Sequence, residues 1–553
     1  GTLPTGYYYG TEYTNAEEII AAKQDYAASH ATHVTGIAAG AYKGNEYYGI
    51  APDADLVFVS YNVSDNSSSN TSITDGIKYI YDYAESVGKP CVINMSLGYH
   101  IGPHDGTSTF DRICDQLQGE GRLLVGASGN EGDYNIHATK TLKKGDTNMK
   151  SLVEFVPNWY LYGSMTSTVD IWGDAEKQLS ARVFVYDILN KKEVYSSESF
   201  STAASASKKI SNPTGADGNI YISTATNPYN KKGNITIDLN LSSFDNRNYY
   251  IGFAISGPEE TTINAWTDAY MSWLSNFGNS EFTNGDNNST MGEIGGTGKR
   301  IITVGAYTSC NYIDHKNSSM WNNSGQTLNQ LVSFSSLGPT ADGRMKPDIT
   351  APGSMLISSF NSSTSSNRNG EDYNYVVKQE NINTVNYYYG SMEGTSMATP
   401  VVTGILATWL QANPKLTPEQ VREILSNTAT TDSYTGNIAG VGNNRWGYGK
   451  INAYDGLVYC LNHSGIEQVG TPTQPMVYPN PATDICYFLL QNDDKNINVS
   501  IYTLNGTEIY SRYMGNINAG EQNQLDLSDL AAGIYFIHIT GDKTNMTTKL
   551  TIK

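Results

Sequence analysis

The chain has 553 residues, too many for one ordinary domain, which predicts two to four domains. Its hydrophobic fraction of 39% is that of a soluble globular protein, and no apolar run reaches the length of a membrane span. Charged residues make up only 16%, and the net charge of −19 argues against binding to nucleic acid or to anionic membranes. We therefore expect a secreted, β-rich protein whose surface is polar rather than ionic.

The five cysteines are scattered and form neither a CxxC pair nor a metal knuckle, so disulfides are compatible with the sequence but not implied. The chain begins at a glycine, without methionine, signal peptide or pro-segment. We expect either a processed protein or a fragment of a longer precursor.

The first third of the chain alternates predicted strands and helices. Apolar runs at residues 56–61, 92–96 and 123–127 predict three buried strands. Between them, apolar residues recur at helical spacing from Ile77 to Val87 and from Phe110 to Leu117. Strands separated by helices of this length predict a parallel sheet with helices on its faces.

The pattern changes over residues 138–284, where short alternating segments are separated by Asn, Gly, Ser and Pro clusters, as is typical of a β-sandwich. The α/β pattern of residues 1–137 resumes over 285–458. The sequence thus predicts an all-β domain inserted into an α/β domain. A linker follows at 459–474, and alternating segments over 475–553 predict a small C-terminal β-sandwich.

One serine stands at the expected start of a buried helix. Ser396 lies in the run Gly394–Pro400, directly before apolar residues at helical spacing. Glycine before the serine permits a tight turn, and we expect Pro400 in the first turn, where its missing amide has no partner. The positive end of the helix dipole and the unpaired amides there suit a nucleophile. Taken alone, such a serine is more often a helix cap.

A serine nucleophile needs a base, usually histidine. His30 falls in the first turn of a predicted helix, where a lone histidine would more often be a cap or a surface residue. Asn130 directly follows a predicted strand, at the edge where parallel sheets place active sites, and its amide can donate to an oxyanion. By itself, the surrounding Gly-Asn-Glu-Gly is a common turn.

Three segments in this order resemble the motifs of the subtilisin-like serine proteases. They are His30–Gly36, Ser128–Gly132 and Gly394–Pro400, and further matches are Asn94–Gly98, Ile302–Ala306, Phe334–Pro339 and Lys346–Gly353. The resemblance covers roughly residues 20–137 and 285–456. It implies an α/β fold, a subtilisin-like parallel sheet with helices on both faces, interrupted by an all-β insert. Some larger subtilases carry a jelly-roll-like domain in the same interval.

The resemblance also implies roles for the three polar residues. Ser396 would attack the scissile carbonyl, and His30 would accept its proton and return it to the leaving amine. The side chain of Asn130 and the backbone N–H of Ser396 would stabilise the oxyanion. The implied activity is that of a serine endopeptidase acting on proteins or peptides.

Substrate-binding residues are implied in the same way. Ser96, Leu97 and Gly98 resemble the edge segment that pairs with the substrate backbone, and Ser128 and Gly129 would line the pocket for the residue before the cut. No cofactor is required by this chemistry. Calcium is common in the family, but no EF-hand loop or clear ligand cluster stands out, so the metal sites stay open.

Two features depart from the family pattern. Ala31 replaces the usual glycine after the histidine, which predicts a small steric change near the ring. The triad aspartate is missing, because the only aspartate before His30 is Asp25, whose ordinary interpretation is a local cap or surface charge. Residues 3–14 resemble the stretch that follows the aspartate strand in some larger subtilases. We therefore expect the aspartate and its strand upstream of Gly1.

The last module resembles the C-terminal sorting domains of type IX secretion systems. The matching stretches are Tyr478–Asp484, Leu504–Gly506 and Gly533–Tyr535. An ordinary small β-sandwich is the alternative. The resemblance implies that the type IX secretion machinery is a partner and that this bacterial protein is secreted or at the cell surface.

Two other functions compete with a secreted serine endopeptidase. A non-catalytic subtilase-like binding or scaffold protein is the alternative if the full-length protein lacks the aspartate. A lipase or esterase would have Gly-x-Ser-x-Gly and a histidine after the serine. Here Ala398 stands at the second glycine, and only His463 and His538 follow, in the linker region and the C-terminal module. That third class is excluded.

Overall fold

The computed structural model describes residues 1–22, 28–61, 69–155, 165–213, 217–243, 247–268, 271–370, 372–463, 476–490, 492–503 and 507–553. The chain divides into two compact units, Gly1–Asn462 and His463–Lys553, which are described separately.

The helices in chain order are α1 (Ala16–Ala22), α2 (His30–Ala39), α3 (Ser69–Ser86), α4 (Thr109–Leu117), α5 (Glu293–Gly296), α6 (Ser362–Ser366), α7 (Thr395–Ala412), α8 (Pro418–Thr428) and α9 (Ala453–His463). The strands up to the end of the insert are β1 (Cys91–Met95), β2 (Arg122–Ala127), β3 (His137–Thr141), β4 (Met149–Phe155), β5 (Met165–Ala175), β6 (Ser180–Asp187), β7 (Lys192–Ser196), β8 (Phe200–Ser201), β9 (Ala206–Ser211), β10 (Asp217–Thr226), β11 (Lys232–Ser243), β12 (Tyr249–Ser256), β13 (Thr262–Thr267) and β14 (Ser272–Ser275). The remaining strands are β15 (Ile302–Tyr307), β16 (Ile349–Pro352), β17 (Leu356–Phe360), β18 (Val376–Ile382), β19 (Val385–Met392), β20 (Met476–Tyr478), β21 (Ile485–Leu489), β22 (Asp494–Thr503), β23 (Glu508–Ile517), β24 (Asn523–Asp526), β25 (Gly533–Thr540) and β26 (Asn545–Ile552).

A parallel sheet with helices on both faces forms the centre of the first unit. Its described strands lie in the order β1, β2, β15, β16, and each adjacent pair is parallel. Side chains alternate along β2, so Leu123 and Val125 pack with α2, α7 and α8, while Leu124 packs with α3 and α4. The predicted α/β class, with its two helical layers, is confirmed.

Residues 56–61, predicted as a buried strand, form no strand in the structure. The side chains of Leu56 and Phe58 are 49% and 67% exposed. No described strand pairs with this segment. Without a neighbouring strand its backbone lacks sheet hydrogen bonds, and its apolar side chains are not packed into the sheet.

The insert is an antiparallel β-sandwich, as the alternating segments predicted. One described sheet has the order β3-β13-β5-β11-β10-β9, and the other has the order β14-β4-β12-β6-β7, with β8 beside β6. Apolar residues of both sheets share one core, to which Ile171 and Ile237 contribute from one side and Val185 and Phe253 from the other. The insert boundaries at residues 138 and 284 stay predictions.

The second unit is all-β. Its described strands form a sheet β20-β21-β24 and a sheet β23-β22-β25-β26, with a core that includes Phe488, Ile501 and Ile537. The predicted motif at Leu504–Gly506 and most of the predicted linker at 459–474 lie outside the described residues.

Helix α7 is the central element of the first unit, because it contacts all four strands of the parallel sheet and packs against α2. Its apolar face is buried, with Leu406 and Trp409 at 0% exposure. The helix begins at Thr395, so Pro400 lies in the second turn and not in the first, which corrects the sequence prediction. Because proline has no N–H, the carbonyl of Ser396 loses its helical partner.

We expect Leu406→Ala to lower the free energy of unfolding of the first unit by about 2–5 kcal/mol, because it leaves a cavity under the sheet. Chemical denaturation followed by intrinsic fluorescence measures the change. Leu189→Ala, the same change at a side chain that is 76% exposed, is the control and should cost less than about 0.5 kcal/mol. Equal costs for the two variants would contradict this account of the core.

Candidate active site

His30, Asn130 and Ser396 come together in the first unit although they lie far apart in the sequence. His30 is the first residue of α2, Asn130 lies in the loop after β2, and Ser396 is the second residue of α7. All three line two adjoining cavities of about 470 and 560 Å³. The structure therefore gathers the three predicted catalytic residues at one cleft.

The two cavities differ in their other walls. The first, called the insert-side cavity, is bounded by the segment after β1 and by the inserted sandwich, through Ser96, Gly98, Thr168 and Trp266. The second, called the loop-side cavity, has an aromatic wall of Trp321, Phe360 and Tyr375. A substrate chain that crosses Ser396 would extend into both.

The backbone places Ser396 at the mouth of its helix. Gly394 has φ = 146°, a conformation that other residues resist, and it directly precedes the first helical residue. The Ser396 carbonyl, left without a helical donor by Pro400, accepts a hydrogen bond of 2.8 Å from the hydroxyl of Ser96. The Ser96 hydroxyl in turn accepts from the amide of Asn94 at 3.0 Å. A hydrogen bond thus connects the backbone of the candidate nucleophile to the predicted substrate-pairing segment.

The side chain of Asn130 is oriented by Thr395. The backbone N–H and the hydroxyl of Thr395 lie 2.9 and 3.0 Å from Oδ1 of Asn130. Two donors on Oδ1 fix the amide so that its NH₂ group remains to face the cleft. An amide NH₂ held beside a helix N-terminus is suited to stabilise an oxyanion.

The residue after Asn130 is also held in place. The hydroxyl of Ser336 accepts from the backbone N–H of Glu131 and donates to its carboxylate, each at 3.0 Å. Glu131 is buried and lines the insert-side cavity. Hydrogen bonds on both sides of Asn130 therefore limit the motion of this loop.

A buried carboxylate fixes the start of α2. Asp372 accepts hydrogen bonds from the hydroxyls of Ser29 and Thr364, and Ser29 immediately precedes His30. One turn later, Nε2 of His33 donates to the carbonyls of Leu356 and Gly390, at 3.0 and 3.1 Å. Burial lowers the pKa of His33 to about 4, so this ring is a neutral structural donor. The other histidine of the motif is left to face the cleft.

The ring of His30 is open to both cavities, yet the surrounding protein lowers the pKa of its imidazole by desolvation. Desolvation therefore favours the neutral base form of this ring over the imidazolium. Within the described residues no carboxylate is bonded to His30, and Asp25 lies outside them. Asp372 lines the loop-side cavity, but its carboxylate accepts from Ser29 and Thr364 instead.

The predicted substrate-binding residues divide into two groups. Ser96, Leu97, Gly98 and Gly129 line the insert-side cavity, as the sequence predicted. Ser128 lines neither cavity, because its side chain is fully buried at the end of β2. Residues 123–128 are all buried, and the lining role predicted for Ser128 stays a prediction.

Sequence reasoning missed three parts of the site. Thr395 lies inside the serine motif, and its place beside Ser396 was the only signal for its bonds to Asn130. The insert residues Thr168 and Trp266, like the aromatic wall of the loop-side cavity, carry no sequence signal. Each reaches the cleft only through packing between segments that are distant in the chain.

Neither a metal cluster nor a membrane span is found in the part of the chain that the structure describes. It holds no group of three or more His, Cys, Asp or Glu side chains that could bind a metal ion, and we assign no calcium ligands. No described helix is long and apolar enough to cross a membrane.

Family models match both units of the chain. Residues 9–251 and 180–449 match the model described as the subtilase family. Residues 476–553 match the model of a secretion system C-terminal sorting domain.

Two curated relatives are proteases of Bacillus subtilis (strain 168). Serine protease AprX is 37% identical over 158 residues, which are 29% of this chain and 30% of AprX. The minor extracellular protease Vpr is 36% identical over 123 residues, which are 21% of this chain and 13% of Vpr. The chain therefore covers less than a third of the length of either relative.

A solved structure, that of the CspB protease of Clostridium perfringens, superimposes with a TM-score of 0.57 at 20% identity. The match covers 79% of this chain and 82% of that one. At this identity the likeness establishes the fold only.

We expect Thr395→Val to slow the reaction of Ser396 with a fluorophosphonate by roughly two- to tenfold, because it removes one of two hydrogen bonds that orient Asn130. Valine keeps the shape and loses the hydroxyl, which also lies 3.2 Å from the carbonyl of Gly129 and accepts from its N–H at 3.3 Å. Thr399→Val is the matched control, since the Thr399 hydroxyl donates to the carbonyl of Thr395 and does not touch Asn130. Labelling rates of the two variants that fall together would contradict the orienting role of Thr395.

Proposed function

Since the chain belongs to the subtilase family, we propose that it is a secreted serine endopeptidase that hydrolyses peptide bonds through an acyl-enzyme intermediate. The observation that carries the proposal is the meeting of His30, Asn130 and Ser396 at one cleft. The proteases AprX and Vpr support the same reaction class.

In the proposed mechanism Ser396 Oγ attacks the scissile carbonyl as His30 takes its proton. The tetrahedral oxyanion accepts hydrogen bonds from the Asn130 amide and from the backbone N–H of Ser396. When the carbon–nitrogen bond breaks, His30 gives the proton to the departing amine. Water then attacks the ester with His30 again as the base, and Ser396 regains its proton.

We further propose that the carboxylate that completes the triad comes from upstream of Gly1. The proposal is supported by the absence of an aspartate strand motif before His30 and by the lack of a carboxylate on this ring among the described residues. Should no such aspartate exist, the non-catalytic binding protein becomes the favoured function.

The sorting domain marks the protein as secreted or presented at the cell surface. We propose that the type IX secretion machinery recognises residues 476–553. The proposal is supported by the match of this whole module to a sorting-domain model and by its independent, all-β core.

A fluorophosphonate should label Ser396 in the intact enzyme that carries the proposed upstream carboxylate, and Ser396→Ala should abolish the labelling, because the probe reacts with a serine activated by a base. Ser391→Ala is a demanding control. The hydroxyl of Ser391 also lines the loop-side cavity and lies 2.6 Å from Nε2 of His315, so it is the competing serine–histidine pair. Mass spectrometry of the labelled peptide locates the adduct, and an adduct retained in Ser396→Ala would refute the assignment.

The 553-residue chain alone should hydrolyse peptides weakly or not at all. A histidine without its carboxylate loses orientation and stabilisation of the imidazolium, which costs roughly 10⁴-fold in kcat in a serine protease of another fold. Hydrolysis of a fluorogenic peptide, compared between this chain and Ser396→Ala, measures the residual rate. Rapid hydrolysis by this chain would contradict the proposed upstream carboxylate.

A further inference from the structure

We propose that Asp170 of the inserted β-sandwich is a positioning residue for substrate binding, because its carboxylate fixes the far end of the segment expected to pair with the substrate backbone. The ligand of this segment is the acyl side of an extended peptide. The inference rests on the proposed function, since it concerns the same cleft. It gives the insert a part in peptide binding that none of the catalytic motifs contains.

The segment in question is an open edge. Six consecutive residues, Ser96–Ile101, line the insert-side cavity. They continue β1, which is the outer strand of the parallel sheet among the described strands. Within the described part of the chain, the backbones of Leu97 and Gly98 form no hydrogen bond. Their N–H and C=O groups are therefore available to a peptide strand, as in recognition by strand addition.

This edge is held at both of its ends. At its start, the hydroxyl of Ser96 donates to the carbonyl of Ser396 at 2.8 Å. Directly after its last residue, the backbone N–H of Gly102 donates to a carboxylate oxygen of Asp170 at 2.8 Å. One end is thus fixed by the helix of the candidate nucleophile and the other by the insert.

A residue of the catalytic domain holds the same stretch from another side. The backbone N–H of Glu293 donates to the carbonyl of Tyr99 at 2.7 Å, and its carboxylate accepts from the backbone N–H of His104 at 2.8 Å. Gly102 lies between these two contacts in the sequence. Asp170 therefore adds an anchor from outside the catalytic domain at the point where the edge segment ends.

The pattern of β5 directs the side chain of Asp170 away from the core of the insert. Val169 and Ile171 are fully buried in that core, and alternation along the strand places Asp170 on the opposite face. Strand β5 is paired on both sides, with β13 and with β11. A carboxylate on such a strand has a well-defined position.

Three donors within the insert orient the carboxylate toward Gly102. The indole N–H of Trp172 donates at 2.7 Å to the oxygen that also accepts from Gly102. The other oxygen accepts from the amide of Asn234 at 2.8 Å and from the hydroxyl of Thr236 at 3.2 Å. Asp170 is only 2% exposed, so these donors take the place of the water that burial removes.

An edge that is ordered before the peptide arrives lowers the entropy cost of binding. If Gly102 were released, the peptide itself would have to order the end of the segment and would bind more weakly. The reacting groups are held by other contacts, since Asn130 is bonded to Thr395 and the residue before His30 is bonded to a buried carboxylate. Loss of the anchor should therefore affect peptide binding much more than the reactivity of the serine.

Asp170→Asn tests the anchor directly. The amide has one acceptor oxygen where the carboxylate has two, so it cannot serve both pairs of donors. In hydrogen exchange followed by mass spectrometry, we expect residues 97–104 to exchange about tenfold faster in the variant. The matched control is Asp187→Asn, because Asp187 is also a buried aspartate of the insert but accepts its hydrogen bonds from Asn190. It should leave this exchange unchanged.

Peptide binding is measured in the full chain carrying Ser396→Ala, so that no turnover is needed. The probe is a fluorescein-labelled hexapeptide of the sequence Ala-Ala-Val-Leu-Ala-Ala, and fluorescence anisotropy gives its Kd. We expect Asp170→Asn to raise this Kd about five- to twentyfold, and Asp187→Asn to change it by less than about twofold. Should Asp170→Asn fail to fold, Trp172→Phe removes one orienting donor and keeps an aromatic ring, and should raise the Kd about two- to threefold.

A small fluorophosphonate separates positioning from a general loss of structure. It reaches Ser396 without occupying the edge segment. In the intact enzyme that carries the proposed upstream carboxylate, Asp170→Asn should therefore slow labelling by less than about twofold. Equal losses of labelling rate and of peptide affinity would show that the variant damages the fold as a whole, and would overturn the positioning role.

Unchanged exchange of residues 97–104 in Asp170→Asn would also overturn the proposal. So would an unchanged Kd in that variant, or no measurable binding of the hexapeptide to the parent chain. A weaker Kd in Asp170→Asn, together with no labelling of Ser396 in the parent enzyme, would support the positioning role and contradict the catalytic assignment alone.

Discussion

The burial of α7 across the parallel sheet is the constraint on which the site depends. Leu406 and Trp409 anchor the helix in the core, and this packing determines where its first turn emerges. The positive φ of Gly394 then turns the chain into the helix so that Ser396 faces the cleft. Residues from two other segments meet this turn, since α2 packs on α7 and Asn130 is bonded to Thr395. The same burial that stabilises the fold thus positions the chemistry.

The insert divides its residues between two tasks. One set of side chains, including Ile171 and Phe253, forms a hydrophobic core to which the parallel sheet contributes no residue among those described. A second set, on the two strands nearest the cleft, meets the catalytic domain through Asp170 and Trp266. Burial raises the pKa of Asp170 to about 6, and the hydrogen bonds that it accepts oppose this shift by stabilising the ionised form. The junction is therefore polar and specific, which suits a domain that must be held at a defined place.

Much of this architecture was predictable, because it follows from local periodicity. The helical spacing after Ser396 predicted α7, and the short alternating segments of residues 138–284 predicted the strands of the β-sandwich that the structure contains. The failures have a common cause, which is that they depend on partners distant in the sequence. Residues 56–61 have the composition of a strand, but no strand among the described residues pairs with them. Ser128 is fully buried just after the end of β2.

The candidate site shows the same limit. The meeting of His30, Asn130 and Ser396 at one cleft could be predicted, because each lies in a short motif, while their catalytic roles stay predictions. The walls of the two cavities could not, since Trp266 and Trp321 reach the cleft from elements whose own sequences predict only local structure. A motif specifies the reacting groups, whereas the shape around them is decided by packing over the whole domain.

Pro400 has a mechanical consequence that its helical position alone would not suggest. Within a helix each backbone carbonyl normally accepts a hydrogen bond from the N–H four residues later. Pro400 has no N–H, and the carbonyl of Ser396 accepts from the hydroxyl of Ser96 instead. The nucleophile candidate and the edge segment expected to receive a peptide chain are therefore linked by a single hydrogen bond. A displacement of that edge would therefore reach the backbone of Ser396 through one hydrogen bond, without passing through the body of the helix.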